Sequence, residues 1–226
     1  MAHRWTSDED IFALARRDLY SAVIGDVLDL LGRRRQFLPP EIQPLRDDMT
    51  VVGRAMPVLA ADEDRSAEEM LERPFGLMLR ALDDLKPGEV YLCTGGTRPY
   101  ASWGELMSTC ARNRGAAGVV LDGWSRDTRG VLALGLPCFS RGRYAQDQRT
   151  RGTVVDFRCP VRIGDVEVRP RDVIFGDLDG VVVIPHEIEE DVLTRAWEKA
   201  HGEQRVFEAI TRGMGAQEAW DKYGVF

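Results

Sequence analysis

The stretch Gly115-Ala-Ala-Gly-Val-Val-Leu-Asp122-Gly-Trp-Ser-Arg126-Asp127-Thr128 decides the reading of the fold. Its apolar run over 117–121 reads as a strand. A glycine-containing turn over 122–127 then delivers an adjacent Arg and Asp, and a helical pattern follows over 128–134. The same rhythm extends outward. Residues 89–93 read as a buried strand, 95–103 as a glycine-containing loop, 104–114 as a helix, and 137–140 as a further strand. Between 85 and 140 the order is strand, helix, strand, helix, strand. That is a βαβαβ unit with parallel strands and right-handed crossovers.

Ser7 is placed to cap a first helix, with Asp8, Glu9 and Asp10 suited to its positive end and Ile11, Leu14, Ala15 and Leu19 as its apolar stripe. A second helix spans 21–31, and Gly32 is placed to stop it. Residues 48–60 read as a strand, 61–73 as a charged mobile loop, and 75–85 as a helix ended by Lys86-Pro87-Gly88. After Arg141 come short strands at 154–157, 161–163, 166–168, 173–176 and 181–184, separated by turns, which read as a β-rich layer with hairpins. A long helix covers 187–211. The aromatic tail 219–226 suits packing on a neighbouring subunit. The whole, residues 1–226, reads as one α/β domain with N- and C-terminal helices.

Composition removes several function classes. Among 226 residues the net charge is −7, and the longest basic run is Arg33-Arg34-Arg35, so no nucleic-acid partner is expected. No apolar run is long enough to span a membrane, and the polar start does not read as a signal peptide. Cys93, Cys110, Cys138 and Cys159 show no C-x-x-C pairing and read as reduced core residues of a cytoplasmic protein. Only His3, His186 and His201 are present, which disfavours a histidine-rich zinc site or a Ser-His-Asp triad. Chemistry would rest on carboxylates, arginine and a bound ion.

Ligands of open parallel sheets bind beyond the carboxyl ends of strands, where the turns 94–105 and 122–127 should lie side by side. The amides opening the helix at Gly104 suit a substrate carboxylate. Arg126 offers a planar fork for a carboxylate or ketone oxygen. Asp127 could anchor Mg²⁺ or Mn²⁺, and Glu105 could hold a metal-bound water or relay a proton. The residues alone leave alternatives open. Arg126-Asp127 reads equally as a surface ion pair, Asp127 as a helix cap, and Gly104-Glu105 as an ordinary helix start.

Several motifs together resemble the RraA-like family, which includes divalent-metal 4-hydroxy-4-methyl-2-oxoglutarate aldolases. They are Ile24-Gly-Asp26-Val-Leu-Asp29, Gly104-Glu105-Leu106, Asp122-Gly-Trp-Ser-Arg126-Asp127, Val166-Glu-Val-Arg-Pro-Arg-Asp172 and Gly176-Asp-Leu-Asp179-Gly-Val-Val-Val-Ile-Pro185. The resemblance implies a swivelling β/β/α fold like that of phosphohistidine domains, and a homotrimer or homohexamer. It also implies a lyase that cleaves a 4-hydroxy-2-keto diacid to pyruvate through a metal-stabilised enolate, with oxaloacetate decarboxylation as a side activity. By the motif match Gly104, Glu105, Leu106 and Arg126 would bind substrate. Arg126 and Glu105 would act in catalysis, Asp127 would hold Mg²⁺ or Mn²⁺, and Asp26, Asp29 and Glu203 would be contributors across a subunit interface. Glu105 stands where the aldolases usually carry Asp. The resemblance also implies two alternatives: a non-catalytic regulator of a ribonuclease, and a lyase or hydratase acting on a sugar-acid-derived keto acid.

Overall fold

The computed structural model describes residues 7–64, 66–72 and 75–224; His3 and the last two residues of the aromatic tail lie outside them. The helices are α1 (Asp8–Asp18), α2 (Ser21–Leu30), α3 (Ala67–Glu72), α4 (Met78–Asp84), α5 (Glu105–Asn113), α6 (Thr128–Ala133), α7 (Glu189–Thr211) and α8 (Ala216–Tyr223). The strands are β1 (Gln43–Pro44), β2 (Val51–Asp62), β3 (Glu89–Thr94), β4 (Ala101–Trp103), β5 (Gly118–Ser125), β6 (Cys138–Arg143), β7 (Gly152–Phe157), β8 (Val161–Ile163), β9 (Val166–Val168), β10 (Val173–Asp177) and β11 (Gly180–Ile184).

The expected βαβαβ unit is β3-α5-β5-α6-β6, and its strand pairs are parallel. The main sheet runs β1-β6-β5-β3-β2-β10-β11, with β4 added on β5 and β7 on β2. Its two edges approach each other through one segment. On β11, Val181 O accepts from Leu38 N and Val183 N donates to Gln36 O, while Gln43 and Pro44 pair with β6. The result is a nearly closed, barrel-like sheet flanked by helices.

Side-chain alternation explains why β10 and β11 read as continuous apolar runs. Val173, Phe175, Val182 and Ile184 face a core shared with α1, α2 and α7. Ile174, Val181 and Val183 face the other core, which Met78 and Leu82 of α4, Ala111 of α5 and Val131 of α6 also enter. A sheet buried on both faces loses the apolar–polar alternation of a half-exposed one.

Four expectations are corrected. The segment 61–73 is not all loop, because α3 lies within it. The strand read as ending at Leu121 continues to Ser125, because β4 and β6 pair with its extension at Trp124 and Ser125. The turn therefore shrinks to Arg126-Asp127. The late strands do not form a layer of their own. β7, β10 and β11 join the main sheet, and only β8-β9 stands apart. Finally, Cys93 and Cys138 are buried, but Cys110 is exposed and Cys159 half-buried, so the cysteines are not uniformly core residues; all four are free. Burial pushes the Cys93 and Cys138 thiols up to about 12.

Several motif residues serve the fold. Asp177 accepts hydrogen bonds from Ser21 N (2.7 Å) and Ser21 Oγ (2.6 Å), which fixes the start of α2. Gly25 lets the Phe37 ring approach, since a Cβ there would lie 2.2 Å from Phe37 Cζ. Asp172 accepts from Arg169 N and His186 N and so ties the turn before β10 to the residues after β11. Among the described residues no helix is long and apolar enough to cross a membrane.

Candidate functional site

The site is built where β4 and β5 end. Trp103 is buried against Tyr91, with ring centroids 4.8 Å apart, and its Nε1 donates to Ser108 Oγ at 2.6 Å. Ser108 Oγ in turn donates to Gly104 O at 3.0 Å. This internal chain pins the turn that opens α5. Arg126 N donates to Trp103 O at 2.9 Å, which locks the second turn against the first. The two turns do lie side by side, as the parallel topology requires.

Asp127 adopts a left-handed backbone, φ 55° and ψ 34°, at the residue before α6. Non-glycine residues occupy this region rarely, and Asp is among those that tolerate it best. Its side chain does not cap α6. Instead Oδ2 accepts from Glu105 N at 3.3 Å, so it caps α5. A Cβ on Gly104 would sit 2.5 Å from that oxygen, which accounts for the glycine. The first intrahelical bond of α5 runs from Ser108 N to Gly104 O. The amides of Leu106 and Met107 therefore have no helical acceptor and point their partial positive charge outward.

Arg126 lies between two carboxylates. Its Nε is 3.7 Å from Asp127 Oδ2 and its Nη1 is 3.5 Å from Asp147 Oδ2. These groups line a cleft of about 200 Å³ together with Gly104, Leu106 and Gln148. Much of the remaining wall is carbon, contributed by Phe75, Met78, Leu79 and Leu82 around α4 and by Met107 on α5.

Of the residues singled out in the sequence, Gly104, Leu106, Arg126 and Asp127 meet at this cleft. Glu105 contributes its amide, but its carboxyl group turns toward α6, where a Cβ on Gly130 would lie 2.2 Å from Glu105 Cδ. Asp26, Asp29 and Glu203 do not join the cleft within one chain. Lys199 Nζ bonds Asp26 Oδ2 at 2.9 Å and also Glu203 Oε1, and Tyr20 donates to Glu203 Oε2. Asp29 is exposed nearby on α2. Burial lowers the Lys199 pKa, but the two carboxylates outweigh it and raise it on balance. Trp124 lines a separate small depression with Tyr100, not the Arg126 cleft.

From the sequence the loop 144–149 is either a pocket-shaping segment or surface packing, and nothing local ties its Asp147 and Gln148, or the α4 wall, to Arg126. Its placement comes from Ala101 N donating to Gln146 O at 2.7 Å and from a bridge between Ala101 and Asp147.

Among the described residues no three His, Cys, Asp or Glu side chains gather to hold a metal. A divalent ion would fit the donor set only in water-rich form. Mg²⁺ suits this, since it keeps several waters and needs one or two carboxylates, of which Asp127 supplies one at the cleft.

The sequence profile described as Aldolase/RraA matches residues 21–183, most of the chain. The chain belongs to the RraA-like family. An RraA-like relative from Halalkalibacterium halodurans, provisionally named 4-hydroxy-4-methyl-2-oxoglutarate aldolase, is 33% identical over 205 residues, covering 90% of each chain. The solved structure of an uncharacterized protein from Pseudomonas syringae pv. tomato superimposes with a TM-score of 0.84 at 26% identity, covering 99% of this chain and 98% of that one. RraAS2 of Streptomyces coelicolor, described as an unusual member of the RNase ES inhibitor RraA protein family, superimposes with a TM-score of 0.77 at 24% identity over 91% of this chain and all of its own. That last likeness speaks for the fold alone.

Proposed function

We propose that this RraA-like protein is a divalent-metal-dependent carbon–carbon lyase that releases pyruvate from a 4-hydroxy-2-keto acid. One observation carries the reading: the Arg126 guanidinium and Asp127 line one cleft with Leu106 and Met107, residues of the first turn of α5. The aldolase name of the Halalkalibacterium relative points the same way.

In this reading the α5 amides and the Arg126 fork receive the substrate's C1 carboxylate and 2-keto oxygen. A Mg²⁺ or Mn²⁺ held by Asp127 would supply Lewis-acid polarisation of that keto oxygen. The C3–C4 bond breaks and its electron pair stays on C3, giving the enolate of pyruvate, while the C4 hydroxyl gives its proton to a cleft water acting as base and becomes a carbonyl. Arg126 offsets the growing negative charge. A proton returned to C3 completes pyruvate, and Glu105 would deliver it through water. Loss of CO₂ from oxaloacetate leads to the same enolate, so decarboxylation would be a side activity.

Asp26, Asp29 and Glu203 would reach such a site only from a neighbouring copy, so the reading includes a homo-oligomer, trimer or hexamer. The test is pyruvate release from 4-hydroxy-2-keto acids and from oxaloacetate, with Mg²⁺ or Mn²⁺ and then with EDTA. Release that EDTA abolishes and metal restores supports the lyase. No release from any substrate, with capture of a ribonuclease, would turn the reading to a regulator.

A further inference from the structure

Helix α5 turns Ser108 and Ala111 into the core. A helix packed on a sheet usually fills such positions with carbon, because a buried hydroxyl must find partners. Ser108 is 0% exposed and finds its partners at the site. Its Oγ accepts from Trp103 Nε1 at 2.6 Å and donates to Gly104 O at 3.0 Å.

These bonds belong to a closed circuit. Trp103 O accepts from Arg126 N at 2.9 Å. The chain then runs from Arg126 to Asp127, whose Oδ2 accepts from Glu105 N at 3.3 Å. Glu105 follows Gly104, and the Gly104 carbonyl leads back through Ser108 Oγ to the Trp103 indole. The circuit thus passes through both turns of the site. Trp103, buried against Tyr91, anchors it to β3. Ser108 does not itself line the cleft, so it reaches Arg126 and Asp127 only through this circuit.

A fully satisfied buried network is rigid, and a lost member leaves its partner unpaired. Without the Ser108 hydroxyl, Trp103 Nε1 is stranded in the core and Gly104 O loses one of its donors. Displacement at such a site is expensive, since about 1 Å can cost on the order of 10²-fold in rate.

We infer that Ser108 is the positioning residue of the site: through Trp103 and Gly104 it sets where Arg126 and Asp127 stand against the first turn of α5. For turnover this rests on the lyase reading. The coupling itself does not.

Backbone amide hydrogen exchange reads the coupling without any substrate. Ser108→Ala should speed exchange at Arg126 N and Glu105 N about tenfold, while the amides of β8–β9 keep their wild-type protection. Unchanged exchange at Arg126 overturns the inference. An equal rise at β8–β9 does so too, since it reports a general loss of stability. Ile163→Val is the control, a core truncation on β8 outside the circuit. It should lower the melting temperature and leave exchange at Arg126 unchanged; a rise there as large as in Ser108→Ala also overturns the inference.

Trp103→Phe removes the indole donor and is the second variant should Ser108→Ala fold poorly. Pyruvate release from 4-hydroxy-4-methyl-2-oxoglutarate with Mg²⁺ then reads the consequence. At a temperature where all variants are folded, Ser108→Ala and Trp103→Phe should each lower kcat about tenfold, and Ile163→Val should not. The double variant should be no slower than the slower single one, because both act through one chain of bonds. Additive losses, or wild-type rates in both single variants, overturn the positioning role. Faster exchange at Arg126 with no release from the wild type keeps the coupling and sinks the lyase reading.

Discussion

Asp127 Oδ2 lies 3.3 Å from Glu105 N, so the acid that precedes α6 caps the neighbouring helix α5. One carboxylate therefore joins the two turns of the site. It also leaves Asp127 with a structural role that any functional test must separate from its chemistry.

Asp127→Asn keeps a hydrogen-bond acceptor for Glu105 N but loses the charge. Its melting temperature should stay near that of the wild type, while metal-dependent pyruvate release falls by at least 10²-fold. Asp127→Ala should lose the activity and also about 1 kcal/mol of stability, the usual cost of a lost cap. Calorimetry beside the activity assay separates the two effects. Full activity in Asp127→Asn would remove the carboxylate charge from the mechanism.

Arg126 is expected to tolerate no replacement. Arg126→Lys retains a positive charge without the planar fork and should lose most activity, and Arg126→Ala should lose all of it. Asp147 touches Arg126 from the loop side, 3.5 Å away. Asp147→Ala should leave the fold intact and raise KM several-fold with a smaller change in kcat, since it acts by orienting Arg126. Steady-state kinetics checks this split.

The space above Gly130 holds the Glu105 carboxyl group. Gly130→Ala should displace that flexible end without lowering stability, because Ala is favoured over Gly in a helix by about 1 kcal/mol. If Glu105 serves proton delivery, Gly130→Ala and Glu105→Gln should each slow pyruvate release, and the double variant should be no slower than the worse single one. Unchanged rates in both single variants would confine Glu105 to a helix start.

Acid sensitivity should centre on Arg54. Its Nε donates to Asp8 Oδ2 at 2.8 Å and its Nη2 to Glu189 Oε1 at 2.9 Å, joining α1, β2 and α7. Hydrogen bonding to Arg54 holds the Asp8 carboxyl below its usual range. Burial raises Glu189, but its bonds to Arg54 and His186 outweigh that and lower it. Depressed carboxylate values contribute stability above the unfolded-state pKa, and that contribution is lost as pH falls through the folded-state values. Asp172 works in the opposite sense, since burial raises its pKa and acid relieves it. Chemical denaturation at stepped pH from neutral to strongly acid should show a falling limb in the wild type that Arg54→Met flattens. An identical limb in both proteins would place the acid sensitivity elsewhere.

Local pattern carried much of this structure. The alternation of apolar runs with helical periods between 85 and 140 named β3, α5, β5, α6 and β6 and their parallel order. Strands of a crossover unit must then present their following turns at one end, and that order alone sets Gly104-Glu105 beside Arg126-Asp127. Ser7 as the cap of α1 was equally local, and it accepts from Asp10 N at 3.2 Å.

What the sequence could not express is pairing between distant segments. β10 is antiparallel to β2, 119 residues or more along the chain in each pair, and that registry absorbs the late hairpins into one sheet. The same kind of contact, Ala101 with Gln146 and Asp147, carries Asp147 and Gln148 to the cleft. It likewise sets α4 beside α5 to make the apolar wall, and it places Lys199 between Asp26 and Glu203. Periodicity fixes which face of an element is buried. Only the summed packing and hydrogen bonding of the whole chain decides what that face meets, because such contacts leave no signature in the spacing of neighbouring residues.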